Sequence, residues 1–188
     1  MTIYDRLLAS RTVRRFGRDG APTGEELKSF VAAARVTPSA ANLQRLRFCI
    51  LEGEAADKAF SGISMGGYLP ERERTAYGER PSAYIVLLSE SDEDTNLAID
   101  IGICAEAITL AASEKGYGSC MIRNFKRDII LSLVKTKGLF AHLVIALGVP
   151  AERAEIADLG ADGSIKYYHD ERGVNIVPKR PLSELSVE

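Results

Sequence analysis

The run DTNLAIDIGICAEAITLAASEK, residues 94–115, is apolar almost all the way round a helix, with Asp100, Glu106 and Thr109 as its main interruptions. A helix on a protein surface carries one apolar stripe and one polar face, so a segment without that asymmetry must be covered on most sides. It is a central helix, or one shared between subunits. Gly116 follows as its C-terminal cap, and Ser119-Cys120-Met121-Ile122 reads as a short strand ending in the polar turn Arg123-Asn124.

Working upstream, Ala83-Tyr84-Ile85-Val86-Leu87-Leu88 is a continuous apolar run of the kind found in strands buried on both faces. Phe48-Cys49-Ile50-Leu51 reads as a shorter buried strand, followed by a polar helix over residues 54–60 and a glycine-rich break at Gly66-Gly67. Thr23-Gly24-Glu25-Glu26 is a capping box, and Leu27, Phe30, Val31 and Ala34 recur behind it at helical spacing; this helix must end before Pro38. Downstream, residues 126–135 read as helix and 141–149 as a third clear strand, ended by Pro150. Residues 151–163 are polar. A hairpin is expected where residues 165–169 and 174–177 flank the turn Asp170-Glu171-Arg172-Gly173. Residues 178–188 form a C-terminal tail with little core of its own, and no internal repeat or low-complexity segment is present.

A chain of 188 residues that is 46% hydrophobic can bury one substantial core, so residues 1–188 are expected to form a single domain. The formal charge of -2 gives no global basic field, which argues against a nucleic-acid partner and confines the arginine clusters to local work. Met1-Thr2-Ile3-Tyr4-Asp5-Arg6 lacks the apolar core of a signal peptide, and no stretch of eighteen residues is free of charge. No membrane association is expected, and the location expected is cytoplasmic. Cys49, Cys104 and Cys120 are odd in number and lack CxxC spacing, so they read as small buried apolar residues and not as a disulfide framework or a metal site.

Three distant segments make no plausible core: Arg11-Thr12-Val13-Arg14-Arg15-Phe16, Pro38-Ser39-Ala40-Ala41-Asn42-Leu43-Gln44 and Pro178-Lys179-Arg180-Pro181-Leu182. Each alone has an ordinary reading, as a solvated arginine turn, a post-helix loop and a solvated basic tail. Together they supply cations from both ends of the chain, with small residues and amides between, as a site closing on one phosphate-bearing ligand needs. The first block follows a short amphipathic helix (Tyr4, Leu7, Leu8) and ends on Phe16, so its backbone is anchored on both sides.

In this order the segments resemble the nitroreductase family of flavin mononucleotide (FMN) enzymes. The family pattern Arg-Ser/Thr-x-Arg-x-Phe lies on residues 11–16, Pro-Ser-x-x-Asn-x-Gln-Pro on residues 38–45, and Val-Pro-Lys-Arg-x-Leu on residues 177–182. The Asp100-Ile101-Gly102-Ile103 helix and Ala146-Leu147-Gly148-Val149-Pro150 also look like family landmarks. The resemblance implies an α+β nitroreductase-like fold, with a mixed central β-sheet flanked by helices and an intertwined homodimer holding FMN at its interface. It implies that Arg11 and Thr12 bind the phosphate and ribityl chain, and that Arg14 lies by the pyrimidine edge of the flavin. Pro38, Ser39, Ala40, Asn42 and Gln44 would meet the flavin, in many members from the partner subunit. Ile122 would present backbone near flavin N5, with Arg123 on the substrate side, and Lys179 and Arg180 would return to the phosphate. The chain departs from the pattern at Ser10 and Arg123, where arginine and glycine are common, and at Arg45 and Leu46, where proline and tryptophan are. The implied activity is ping-pong: NADH or NADPH reduces the flavin, which then reduces a small electron acceptor such as a nitroaromatic or a quinone. The cofactor carries that chemistry, so no catalytic protein residue is implied.

Two other functions have sequence support. A flavin-binding or sensing module without catalysis would keep the phosphate and ring contacts, and Arg123 would close its substrate face. A small serine hydrolase would use Ser64 of Gly62-Ile63-Ser64-Met65-Gly66, with Asp100 and His142 following in hydrolase order. That elbow requires a strand before it and a helix after it. Here a polar helical segment precedes, and His142 falls inside an apolar strand, where a structural histidine is the default. Gly116-Tyr117-Gly118 follows a helix and lacks a third glycine, so it is no dinucleotide fingerprint.

Overall fold

The computed structural model describes residues 2–186, apart from the side chain of Arg72. At its centre β1 (Arg47–Glu52), β2 (Ala83–Ser89), β3 (Gly118–Ile122) and β4 (Phe140–Gly148) form a sheet in the order β1-β2-β4-β3, each pair antiparallel. Successive strand side chains point to opposite faces, so a strand apolar at every position needs cover on both. It has that cover. Tyr84, Val86, Leu88, Val144 and Ala146 pack toward α3 (Glu54–Phe60) and α5 (Arg127–Ser132). Ile85, Leu87, Leu143, Ile145 and Leu147 pack toward α2 (Gly24–Arg35) and α4 (Thr95–Glu114).

The capping box at Thr23 forms in full: Glu26 N–H donates to the Thr23 hydroxyl and Thr23 N–H to the Glu26 carboxylate. In α4, Asp94 caps the first turn through Leu97 N–H, and Leu97, Ile101, Ala105, Ile108 and Ala112 are buried. The helix is long and apolar enough to cross a membrane by length and composition alone. Burial of its inner side against the sheet accounts for part of that composition. Its outer side keeps Ile99 exposed at 56%. The N-terminal helix α1 (Ile3–Ala9) has its own Thr2–Asp5 capping box and lies against α4, tied by an Arg6–Glu114 pair at 2.9 Å, yet none of its residues is buried.

Two close approaches seat residues 11–17 on the sheet. A Cβ at Gly118 would lie 2.8 Å from the Val13 side chain, and one at Gly148 would lie 3.0 Å from the Phe16 ring. Only glycine lets the segment lie so tightly on the ends of β3 and β4. Val13 N–H then donates to the Ser119 carbonyl at 2.8 Å, Gly17 N–H donates to Val149 at 2.8 Å, and Thr12 forms a parallel bridge with Ser119.

The polar stretch after Pro150 is not wholly irregular. It contains β5 (Ala154–Asp158), which pairs parallel with β7 (Asn175–Lys179), while β6 (Tyr168–His169) pairs antiparallel with β7. This half-exposed edge strand lacks a dense apolar run because its partner, and not its own composition, defines it. The hairpin is shorter in its first arm than residues 165–169, and its second arm runs on through Pro178 and Lys179, so the tail begins inside a strand. After it comes α6 (Leu182–Leu185), which buries no residue; the tail's residues 187 and 188 lie outside the described residues. Helix α5 spans less than residues 126–135, stopping before the turn that carries Val134 into the core.

Candidate functional site

Residues 11–14 and the end of β7 meet in one cleft of about 340 Å³, lined by Arg11, Thr12, Arg14, Lys179, Val177 and residues of β3 and α4. The end of β7 and an ion pair separate the two C-terminal cations. Val177 and Lys179 lie on one face of β7 and line the cleft; Arg180, just past the end of the strand, does not line it and pairs with Glu184 at 2.9 Å. Arg11 donates through Nη2 to the Leu7 carbonyl near the C-terminus of α1, and its Nε is buried without a partner. The Arg14 guanidinium lies 4.1 Å from the centre of the Tyr167 ring, a cation–π contact that fixes its plane, and its Nη1 is likewise buried without a partner. The cleft therefore holds three cations, two with donor atoms still unspent.

Several neighbours are not assigned to the site by the sequence motifs. The nearly buried Glu152 carboxylate accepts from the backbone N–H groups of Arg14 and Arg15, the latter at 3.3 Å, and lies 3.6 Å from His169 Nε2. It pins the arginine turn from below. Glu106 and Thr109 of α4 line the cleft, with the Thr109 hydroxyl donating to the Glu106 carbonyl at 3.0 Å. Those two stand out in the sequence as polar interruptions of an apolar helix without pointing to a cleft, and Glu152 sits in a polar stretch where one more acid stands out in no way. Cys120 also lines the cleft, but burial pushes its thiol up to about 11, so it carries no thiolate at neutral pH and is not a nucleophile.

The loop at residues 38–44 forms a second cavity, of about 330 Å³, with α2 and α4; it includes Ser39 and Gln44 and shares no lining residue with the first. Ala41, Asn42 and Gln44 have φ of 48°, 55° and 48°. Non-glycine residues in this left-handed region cost roughly 1–2 kcal/mol each, and such strain persists only where surroundings hold it. The hold comes from buried Asp100, whose Oδ1 accepts from Ala40 N–H at 2.9 Å, and from Ser39, whose hydroxyl accepts from Gln44 N–H at 3.2 Å. Within one chain, then, Arg11, Thr12, Arg14 and Lys179 come together, and Ser39 and Gln44 stand apart from them. Pro38, Ala40 and Asn42 lie on the same loop and line neither cavity. Ile122 packs into the core, where its neighbour Met121 faces the cleft instead, and Arg123 is held by Glu93 at 2.9 Å.

The hydrolase residues do not meet. His142 Nε2 lies 2.8 Å from Ser89 Oγ, Asp100 serves Ala40, and Ser64 is held by its N–H to the Asn124 carbonyl at 3.0 Å. Residue 63 makes an isolated bridge with Phe125, and no helix follows Ser64 before Pro70, so the strand-elbow-helix geometry is missing.

Comparison with known proteins bears on the whole arrangement. The model of the nitroreductase family matches residues 7–150. No curated protein matches the chain. Among solved structures, a nitroreductase family protein from Clostridium novyi NT is 23% identical, with 80% of this chain and 87% of that one covered at a TM-score of 0.65. An FMN-dependent nitroreductase from Clostridium difficile R20291 is 21% identical, covering 90% and 99% at 0.63. An FMN-dependent nitroreductase from Mycobacterium smegmatis, solved in complex with NADPH, is 17% identical, covering 79% and 87% at 0.64. At these identities the structural likeness is one of fold.

Proposed function

The chain belongs to the nitroreductase family, and on that premise we propose that it is an oxidoreductase that binds FMN and moves hydride from NADH or NADPH to a small electron acceptor such as a nitroaromatic or a quinone. The observation that carries this reading is the convergence of Arg11, Thr12, Arg14 and Lys179 on one cleft, with buried donors on two of the arginines left unspent. A phosphate is close to a dianion at neutral pH and is best held by several cations with free donors. The residues fit such a group. In this reading Arg11 and Lys179 hold the phosphate, Thr12 the ribityl hydroxyls, and Arg14, fixed by Tyr167 and Glu152, faces the pyrimidine edge. A fixed cation there stabilises negative charge that develops on reduction. FMN supplies the hydride chemistry when bound, which asks no acid, base or nucleophile of the protein.

The loop carrying Ser39, Asn42 and Gln44 reaches this site from a second subunit in the same reading. Two observations support it: the loop's cavity is separate from the cleft in one chain, and Ile3, Tyr4 and Leu182 at the chain ends are 73%, 68% and 77% exposed. Residues 1–188 act as one FMN-binding domain, working as a homodimer in the cytoplasm. The relatives from Clostridium difficile and Mycobacterium smegmatis, named for FMN and in one case solved with NADPH, support the choice of cofactors.

Absorbance of the purified protein tests the proposal. Flavin bands that bleach with NADH or NADPH under anaerobic conditions, and return when a quinone is added, are the expected result. Flavin bands that neither nucleotide bleaches would favour the passive flavin-binding module, and a colourless protein unable to take up added FMN would end the flavin reading.

A further inference from the structure

Beneath the arginine turn, three segments distant in sequence meet at one imidazole. The His169 side chain of β6 is 11% exposed, with Nδ1 3.2 Å from Glu73 Oε2 and Nε2 3.6 Å from Glu152 Oε2; that Nε2 is buried and makes no hydrogen bond. The Glu152 side chain is 4% exposed, and its other oxygen accepts from the Arg14 and Arg15 amides. Other charged groups around the ring are engaged elsewhere. Arg15 donates through Nη2 to the Glu73 carbonyl at 3.2 Å and has Nε 3.7 Å from Glu79, Arg14 stacks on Tyr167, and Asp170 pairs with Arg172 at 2.8 Å. Asn175, the cross-strand partner of His169 on β7, is uncharged. The ring therefore stands between two carboxylates, one of which holds the backbone of residues 14 and 15.

A neutral imidazole has one N–H and one lone pair. With its proton on Nδ1, facing Glu73, the Nε2 lone pair points at the buried Glu152 carboxylate; with the proton on Nε2, the Nδ1 lone pair points at Glu73 instead. Either way a lone pair meets an anion. Only the ring carrying both protons meets an opposite charge on each side, and an opposite charge within about 4–6 Å favours the charged form. We propose that His169, as the imidazolium, is a positioning residue: it holds the Glu152 carboxylate under residues 14 and 15 and so sets the backbone of the turn that forms the cleft. Loss of the ring proton sets a lone pair against Glu152, which then shifts and releases the Arg14 and Arg15 amides. The grip of the cleft on an anion is thereby tied to pH, and is stronger on the acid side of the ring's titration. What this means for the cofactor rests on the flavin reading; the hold on the turn does not.

The test follows the amide signals of Arg14 and Arg15 by NMR between pH 6 and 9 in the full chain stripped of flavin, and measures FMN affinity by fluorescence over the same range. In the wild type the two signals should move together in one titration. The FMN Kd should rise about fivefold or more between pH 7 and 9, as the binding-competent turn becomes the minor state. The phosphate itself adds little there, because its second pKa is near 6 and it is already largely a dianion. His169→Gln has no ring proton to lose, so its amides should not titrate in this range and its FMN Kd should change by less than about twofold. Glu73→Gln removes one of the two carboxylates at the more open end of the clasp, and serves as the second variant should His169→Gln fail to fold. It should move the amide titration toward acid by about half a pH unit or more. Amides that stay still in the wild type, that titrate alike in wild type and His169→Gln, or whose titration is unmoved in Glu73→Gln would overturn the proposal. Amides that titrate while FMN affinity stays flat would overturn the tie between clasp and cleft. Titrating amides in a protein that takes up no FMN would end the flavin reading and leave the clasp, and FMN uptake with silent amides would do the reverse.

Discussion

In β2 and β4 every residue but Phe140 is buried, whereas α1 and α6, near the two ends of the chain, bury none. Both regions contain large apolar side chains. In the sheet they are consumed by helices of the same chain on both faces; at the ends Ile3, Tyr4, Leu182 and Leu185 remain in solvent. Apolar residues left over at the same ends that deliver Arg11 and Lys179 to the cleft fit the proposed homodimer: the centre supplies stability, and in that proposal the ends supply contacts to the second subunit.

The largest expected effect tests the first half of that division. Ile145→Ala removes a fully buried side chain from β4 and should cost about 2–5 kcal/mol in denaturant unfolding, the range for aliphatic core truncations. Leu182→Ala in dilute protein should stay within about 0.5 kcal/mol, as for exposed sites. Similar losses at both positions would mean that the tail is part of the core. The companion experiment replaces Ile3 and Leu182 together by Ser: sedimentation should show weaker self-association and a lower flavin content at unchanged secondary structure. An unaltered dimer would remove the ends from the interface.

The ends themselves divide further, residue by residue. Arg11→Ala should weaken FMN binding by about 1.5–3 kcal/mol, the size of a hydrogen bond to a charged group. Lys179→Ala should weaken it as well, while Arg180→Ala should change it little, because Arg180 follows the end of β7, does not line the cleft and is engaged with Glu184. Equal losses at 179 and 180, measured by fluorescence titration of the stripped protein, would break the assignment of Lys179 alone to the cleft.

That same contrast explains what sequence could and could not reveal. The dense apolar strands and α4 were legible to within a residue or so, because their composition is set by burial that no neighbour can supply for them. The Thr23 cap and the Gly116 stop are local chemistry and equally readable. Strand β5 was not, since its pairing with β7 decides it. At the site, motif order pointed to the cations of the cleft. Glu152, Tyr167 and Glu106 were missed because each reaches the arginines or the cleft through tertiary contact, across 138 residues in the case of Glu152 and Arg14. The choice between Lys179 and Arg180 waited on knowing that the chain there is a strand.

A smaller effect is expected at Arg14, where binding and electronics should separate. Arg14→Gln keeps a donor and removes the charge, so FMN binding should weaken less than in Arg11→Ala while the bound flavin's potential becomes more negative. About 30 mV corresponds to roughly 1.4 kcal/mol for a two-electron couple, within reach of a dye-equilibrium titration. A potential that stays put or rises would mean that Arg14 does not face the pyrimidine edge.

The smallest expected effect returns to the sheet centre and its one buried imidazole. His142, 4% exposed on β4, has Nε2 at 2.8 Å from Ser89 Oγ and Nδ1 at 3.8 Å from Glu93. Burial lowers its pKa from the ordinary 6.5; Glu93 and Asp92 oppose that shift, and Arg123 and Arg127 add to it. The unfolded chain therefore takes up a proton that the folded chain declines. The sign follows: this group's contribution to stability is complete above 6.5 and is lost as pH falls from there through the lower folded pKa. The carboxyls of Asp57, Asp94 and Asp170 also have lowered pKa values, each first through a hydrogen bond, but their contributions fade only below about 4, where free aspartate begins to protonate. The two windows are thus separable. Unfolding midpoints of the wild type should decline between pH 7 and 5, and His142→Gln, which has no proton to gain, should show a shallower decline over the same interval. Parallel curves would mean that the Glu93 carboxylate keeps the ring charged in the folded protein, and the sheet centre would then bury an ion pair where the geometry now gives a neutral hydrogen bond.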